Sequence, residues 1–352
     1  MRMTTMEKNL SLVIEKELKD VTPGVQVRAY QNGKIVCDIA LGQTFPYYDF
    51  ASLTKIIFTT QAMMLAFDKG LWNLKTKVSE RLKWFPHDFL IKDLMSHYTG
   101  YQAWFPFYKN INVNHSISDK RQDLKRLLLE ASPLKNFDKS LYSDLNFLLL
   151  GFVLEEIYQK PMIDVWKDVK NLFYNGTTMD FHENNIPLFK KEHYAPTEEC
   201  PWRKRLLQGE VHDENTWALG GVSSHAGLFG TIEDLGWYVL HLRSQMMGIA
   251  RYEIRQKTAL LFAKRAVEEG KGDWALGFMM PTPGASSCGH YFDLSSIGHT
   301  GFTGTSVWYD PKIDLAVCVL SNRLVYGREN TGFKNLRPKI HNWLVEGLRK
   351  SA

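Results

Sequence analysis

The sequence predicts an α+β fold: an antiparallel sheet built from both chain termini, flanked by helices, with an inserted, mainly helical lobe. Three observations point to it. Strand-like segments occur before residue 40 and again after residue 270, helical spacing dominates between, and an amphipathic helix stands at each extreme. The expected units are 1–57 with 215–352 for the sheet lobe and 58–214 for the helical lobe, with the site between them.

Each element has a local cause. Residues 6–20 set Leu10, Val13, Ile14 and Leu18 on one helical face, and Pro23-Gly24 ends that pattern. Val25 to Tyr30 alternates as a strand, Gln31-Asn32-Gly33-Lys34 is a turn signal, and Ile35 to Ile39 is the return strand of a hairpin. A helix is predicted from about Ser52 to Lys69, stopped by Gly70. Helical stretches follow at Ile91–Ser96, Lys120–Glu130 and Asp144–Tyr158, with Pro86, Pro106, Pro133 and Pro161 in the loops. Beyond Gly220, Leu235–Met246 and Tyr252–Gly270 read as helices. Trp274–Met280, Ser296–His299, Thr305–Tyr309 and Leu315–Ser321 read as strands, with turns at Pro281–Gly284 and Asp310-Pro311-Lys312. A last amphipathic helix runs from Leu336 to Arg349. Repeats, low-complexity tracts and a flexible linker are absent from the sequence.

Composition narrows the class. In 352 residues, 44% are apolar and 23% charged, which is the make-up of a globular chain with a sizeable core. The net charge of +5, from 43 basic and 38 acidic residues, is too balanced for a nucleic-acid binder. The short basic cluster Trp202-Arg203-Lys204-Arg205 reads as solvated surface or local ion pairs. Cys37, Cys200, Cys288 and Cys318 fit no zinc spacing and read as free buried thiols, which suits a reducing compartment. The N-terminal stretch lacks the apolar core and cleavage site of a leader, and the run Asn146–Leu154 is too short to span a bilayer. The expectation is a cytoplasmic protein, although a chain trimmed of a leader would read the same.

Three segments carry chemistry. Ser52-Leu53-Thr54-Lys55 puts a hydroxyl and an amine three residues apart, on one face of a helical turn. A serine becomes a nucleophile when a neighbouring base takes its proton, and a neutral lysine can do so. Tyr142-Ser143-Asp144 stands 90 residues beyond Ser52, before an apolar helix, where a tyrosine alone reads as a core or cap residue. Gly298-His299-Thr300-Gly301-Phe302-Thr303-Gly304 interleaves glycines with hydroxyls at a strand start, and alone it reads as a Gly-rich turn. It is no phosphate loop, because no Gly-Lys-Ser/Thr follows.

In this order the segments resemble a known signature. Ser-x-x-Lys, Ser-Asp-Asn and Lys-Thr-Gly mark class A β-lactamases and penicillin-binding proteins. With tyrosine in the second box, the chain resembles the class C β-lactamase-like serine hydrolases, which include β-lactamases, DD-carboxypeptidases, D-aminopeptidases and esterases. Pro23-Gly24-Val25, Phe50 to Lys55, Ile91 to Gly100, Tyr142 to Gly151 and Asp310-Pro311 all match the family pattern. Ala195 to Glu198, Gly209 to Asn215, Gly220 to Val222 and His225 to Phe229 are similar to a bacterial subgroup of penicillin-binding-protein-like enzymes often linked to peptidoglycan.

The resemblance implies the β-lactamase/transpeptidase-like fold and acyl transfer through Ser52, with Lys55 and Tyr142 sharing the proton work. It implies an oxyanion hole of the Ser52 and Phe302 backbone N–H groups and a substrate-binding set of Asp144, His299, Thr300, Gly301 and His225. Either a neutral Lys55 or a Tyr142 phenolate can be the base, and both require a shifted pKa, since the ordinary values of roughly 10 lie about three units above neutrality. Two departures bear on substrate. His299 stands where many members have lysine, so a fixed cation is replaced by an imidazole that is mostly neutral at pH 7. Asp144 stands where the β-lactamases have asparagine; an acid there can pair with Lys55, keep it charged, or repel an anionic substrate.

The expected function is a serine hydrolase acting on esters or D-amino-acid amides, peptidoglycan fragments among them. A β-lactamase or DD-carboxypeptidase is the alternative, and a non-catalytic penicillin-binding receptor the second alternative. Substrates are small molecules or peptides, with no cofactor, metal, nucleic acid or membrane span implied, and a monomer or weak oligomer expected. His212-Asp213-Glu214 lacks the His-Glu-x-x-His spacing of a metal site and reads as structural or cleft-lining. His97 reads as scaffold. His225 reads equally as a buried hydrogen-bonded histidine or a substrate contact. The aromatics Tyr101, Trp104, Phe105, Phe107 and Tyr108 line a pocket or pack the lobe interface. No Gly-x-Ser-x-Gly elbow exists for an α/β-hydrolase triad.

Overall fold

The computed structural model of the chain describes residues 3–249 and 254–351. Five antiparallel strands form the main sheet, in the order Lys34–Gly42, Gly24–Gln31, Leu315–Ser321, Ser306–Asp310 and Ile297–Thr300. The first and last parts of the chain meet at its centre, where Val25 pairs with Ser321 and Gln31 with Leu315. Strand alternation then sorts the side chains. Val25, Val27 and Ala29 face the helices Thr5–Leu18 and Gly332–Ser351, where Leu10, Ile14, Phe333, Ile340 and Leu344 close one core. Tyr30, Cys318 and Leu320 face the opposite way, against Leu235, Tyr238 and Leu242 of the helix Ile232–Met246.

The same larger core continues through the helices Thr60–Asp68, Asp144–Tyr158 and Met162–Phe173. The last of these has no counterpart among the helices read from sequence; Pro161 caps it, and Val165, Trp166, Val169 and Phe173 form its buried face. A small sheet of Tyr48–Asp49, Leu228–Gly230 and Asp180–Phe181 ties the chain ahead of Ser52 to the segment after His225.

Four expectations need correction. The regular helix expected from Ser52 is instead a 3₁₀ turn Ala51–Leu53, a π-helical turn Lys55–Thr59, and an α-helix only from Thr60 to Asp68. Trp274–Met280 is not a strand: Gly277, at φ +88°, folds it back so that Trp274 bridges Met279, and a Cβ on Gly277 would meet Thr60 Oγ1 at 2.1 Å. Of the helix expected over Tyr252–Gly270, residues 252 and 253 lie outside the described residues, and the described part is helical only from Gln256 to Ala263, because Lys264 is extended. Arg203 is not solvated; it is buried, and its two Nη groups each donate at 2.7 Å to the carbonyls of Val211 and His212. The four cysteines are free and buried. Among the described residues no helix is long and apolar enough to cross a membrane.

Several histidines are buried in neutral form. His341 on the terminal helix is fully buried with neither ring nitrogen partnered; burial, then the charge of Arg337, pushes it down to about 3. Burial pushes His182 and His241 down to about 4. The unfolded chain protonates these rings below about 6.5 and the folded chain does not, so stability is full above that pH and is lost as pH falls toward the folded values. Thermal unfolding at pH 7.5 and pH 5 should show a clear drop in midpoint. His341→Leu should shrink that drop by the equivalent of about 2 kcal/mol at pH 5; an undiminished drop in the variant would count against this account.

Candidate active site

The site begins with strained backbone. Ala51, immediately before Ser52, sits at φ +48°, which costs a residue with a Cβ on the order of 1 kcal/mol or more. Hydrogen bonds on both sides hold it there. Its N–H donates to Asp49 Oδ1 at 2.8 Å, and its carbonyl accepts from Thr54 Oγ1 at 2.7 Å. The glycine-rich strand end braces the same segment. Thr303 and Thr305 hydroxyls donate to the carbonyls of Asp49 and Phe50 at 2.8 and 3.1 Å. Gly301 permits this approach, since a Cβ there would lie 2.6 Å from the Phe50 carbonyl oxygen.

The 3₁₀ turn Ala51–Leu53 carries Ser52, and the π-helical turn that follows opens on Lys55, which lies beside it. Lys55 is fully buried, and its Nζ donates to Ser52 Oγ at 3.0 Å, Asp144 Oδ1 at 2.7 Å and the His225 carbonyl at 2.9 Å. These three bonds use all the donors an ammonium has. Tyr142 Oη lies 2.7 Å from Ser52 Oγ and donates to Asp144 Oδ1 at 3.0 Å. Asp144 starts the helix Asp144–Tyr158 and Ser143 caps it, so one helix N-terminus places both the acid and, by its leading residues, the phenol.

Electrostatics separate the two candidate bases. Burial holds the Lys55 amine below the ordinary lysine value, although Asp144 acts in the opposite sense. Burial first, and then Asp144, push the Tyr142 phenol well above its ordinary value. Of the roles open to Asp144, pairing with Lys55 is the one the geometry displays.

His97 packs its ring 4.8 Å from that of Tyr142 and 4.4 Å from Trp274, and its Nδ1 accepts the Ser143 N–H at 3.1 Å. The scaffold residue of the sequence reading is therefore the backing of Tyr142. The segment Ser223–His225 is fixed from both helices: Thr59 Oγ1 donates to the Ser224 carbonyl, and Ser224 Oγ to that of Phe147, each at 2.6 Å. His225 supplies its carbonyl to Lys55, while its ring lies between Ser223 Oγ at 2.7 Å and Asp213 Oδ1 at 3.0 Å. Burial works to raise the Asp213 carboxyl, but His225 and Thr216 outweigh it and hold that group below the usual carboxylate range.

These residues open on a cleft of about 640 Å³. Ser52, Tyr142, Asp144, His225, His299, Thr300, Gly301 and Phe302 all line it, so every site residue read from sequence except buried Lys55 reaches the cavity itself. Of the aromatic loop only Trp104 lines the cleft, while Tyr101 and Phe107 are core. His299 is buried with Nδ1 2.8 Å from the Thr300 carbonyl; burial, then Lys55, push it down to about 3, so it is neutral at pH 7. Asp144, Asp213 and His225 bring three potential ligand atoms within 4.8 Å of one another, but Lys55 Nζ already occupies Asp144 Oδ1 at 2.7 Å. His212, Asp213 and Glu214, read from sequence as structural or cleft-lining, do line the cleft, whereas Trp274, Arg323 and Arg337 were missed as cleft residues and carry no local signal.

Comparison with known proteins shows the family and the fold. A family model described as Beta-lactamase matches residues 12–336. The chain is similar to an N-acetylmuramyl-L-alanine amidase of Bacillus subtilis (strain 168), at 27% identity over 90% of this chain and 80% of that protein. It is equally similar, at 27% identity, to a putative D-alanyl-D-alanine carboxypeptidase of Salmonella agona (strain SL483), over 92% of this chain and 79% of that one. Among solved structures, a class C beta lactamase from Rhodobacter sphaeroides superposes with a TM-score of 0.69 at 16% identity, over 96% of this chain and 99% of that one.

Proposed function

The chain belongs to the Beta-lactamase family and is a serine hydrolase, and we propose that it cleaves amides or esters of peptidoglycan-type fragments through an acyl-enzyme on Ser52. The observation that carries this reading is Ser52 Oγ held 2.7 Å from Tyr142 Oη and 3.0 Å from Lys55 Nζ at the wall of one cleft. The cleft would lie between a sheet lobe of 1–57 with 215–352 and a helical lobe of 58–214. The amidase and carboxypeptidase named among its relatives support an amide substrate. A neutral His299 in the third box, in place of a fixed cation, favours such substrates over β-lactams.

In the proposed sequence the neutral amine of Lys55 takes the Ser52 proton as Oγ bonds to the substrate carbonyl carbon. The oxyanion is received by the N–H groups of Ser52 and Phe302; losing one such donor typically lowers the rate about 10²–10³-fold. Tyr142, kept as a phenol, passes a proton from the Lys55 ammonium to the departing nitrogen or oxygen as the acyl-enzyme forms. Water then attacks the acyl carbon with the same groups acting in reverse, and Ser52 regains its proton. Thr300 and Gly301 hold the substrate along the strand edge, and Asp144 sets the charge of Lys55.

Two outcomes test this. Incubation with a fluorophosphonate or a labelled penicillin, followed by peptide mass spectrometry, should place a single adduct on Ser52, and Ser52→Ala should lose the adduct and on the order of 10³-fold or more in turnover. A label elsewhere, or undiminished turnover, would contradict the mechanism. Because Asp144 raises the Lys55 pKa, Asp144→Asn should lower it, making the neutral amine available at lower pH. The acid limb of the kcat/KM profile should therefore move to lower pH; a limb that stays put or moves up would rule out Lys55 as the base.

A further inference from the structure

An aromatic strip leads out of the cleft. Trp104, 37% exposed, lines the cavity. Its ring centre lies 6.2 Å from that of Tyr108, which lies 4.5 Å from that of Trp202, which in turn lies 5.2 Å from that of Trp217. Tyr108 and Trp202 are half-buried and stand outside the cavity lining, so the strip runs from the catalytic cleft over its rim. Three separate segments build it: the loop carrying Trp104 and Tyr108, the turn at Trp202 between the strands Pro196–Cys200 and Arg205–Gln208, and the short helix Glu214–Ala218. Each is pinned. Ser143 Oγ donates to the Gln102 carbonyl at 2.6 Å and the Asp144 N–H to the Ala103 carbonyl at 2.9 Å, so the loop is tied to the helix start that carries Asp144. Buried Asn215 holds its other end, with Nδ2 donating to the Phe105 carbonyl and Oδ1 accepting the Tyr108 N–H, each at 2.8 Å. The buried Arg203 guanidinium lies 5.9 Å from the Trp202 ring centre and 5.5 Å from that of Trp217.

The chemistry of the strip fits a sugar. A pyranose ring carries C–H groups on its faces and hydroxyls around its edge. The C–H groups meet the negative face of an aromatic ring, and the hydroxyls need donors and acceptors beside it. Both are at hand: Glu214 and Arg328 pair with each other and line the cleft. Burial first, and then Glu214, raise the Tyr108 phenol while Arg328 acts in the opposite sense, which places that ring beside the pair. An alkyl chain asks for an enclosed apolar pocket, whereas these rings stand at a rim with a carboxylate and a guanidinium next to them. Rings fixed in advance cost little ordering when a ligand binds.

We propose that Trp104, Tyr108 and Trp202 form a saccharide subsite, on which a sugar carried by the substrate stacks while its hydrolysable bond reaches Ser52, with Trp104 the specificity-determining residue. The part this plays in turnover rests on the serine-hydrolase reading; the binding of sugar does not. The probe is chitotetraose, a tetramer of N-acetylglucosamine, titrated into the full-length protein by calorimetry. It should bind, Trp104→Ala and Trp202→Ala should each weaken binding about tenfold, the typical worth of one aromatic partner, and Trp104→Phe should keep most of it. Trp237→Ala, which alters an exposed tryptophan on the helix Ile232–Met246, should change nothing. Chitotetraose should also slow fluorophosphonate labelling of Ser52 several-fold in the wild-type protein, and far less in Trp104→Ala at the same concentration. No binding, binding undiminished in Trp104→Ala, or a labelling rate that the sugar leaves unaffected overturns the inference, as does binding of octanoate in place of the sugar. Should Trp202→Ala fail to fold, Trp104→Ala, at an exposed loop position, decides. Trp104-dependent sugar binding with Ser52 unlabelled sinks the hydrolase mechanism and sustains the subsite; labelled Ser52 without sugar binding does the reverse.

Discussion

A lysine amine buried away from solvent, and shared among one carboxylate, one hydroxyl and one carbonyl, is the constraint on which the rest of this structure depends. An isolated ammonium at that depth would cost far more than a domain's whole stability margin, so each partner must be delivered accurately. The three come from distant parts of the chain. Ser52 arrives on the turn after the small sheet, Asp144 at the head of its helix, and His225 on a loop pinned by Thr59 and Phe147. The fold can be understood as the means of bringing these three to one amine. Its reward is an amine that burial holds below the ordinary lysine value while Asp144 limits the fall.

The strained turn at Ala51 belongs to the same constraint. Asp49 is buried and bonds both the Ala51 N–H and the His212 N–H, so one side chain joins the nucleophile turn to the 211–213 segment. Asp213 on that segment orients the His225 ring, and the His225 carbonyl returns to Lys55. The hydrogen bonds therefore form a loop around the nucleophile. Fully satisfied networks of this kind rigidify a site, and partly satisfied ones are costly, which explains why positive φ is tolerated at an alanine here.

Much of this was legible in the sequence because it is local. Strand alternation at Val25–Tyr30, the short apolar run Leu315–Ser321 and the longer apolar run after Asp144 specify their elements from local sequence. Ser52, Tyr142 and His299 were legible as a constellation because their order and spacing resemble a family, which no periodicity could have supplied. What escaped was set by tertiary contact. The π-helical turn at Lys55–Thr59 re-aims a lysine toward partners far off in sequence, and nothing in Lys-Ile-Ile-Phe-Thr announces it. Trp274 to Met280 has strand-like residues, but Gly277 turns it back against Thr60. Arg323 and Arg337 lie in no motif, and only folding brings them to the cleft.

The central claim is that Lys55 titrates low enough to act as a base. Titration of the full-length protein carrying ¹³Cε-labelled lysine, with Lys55 assigned by comparison with Lys55→Arg, measures this directly. The account predicts a Lys55 midpoint below the ordinary lysine value of about 10.4. A midpoint at or above that value would mean that Asp144 outweighs burial and locks the ammonium, and the account of the site would fail at its centre.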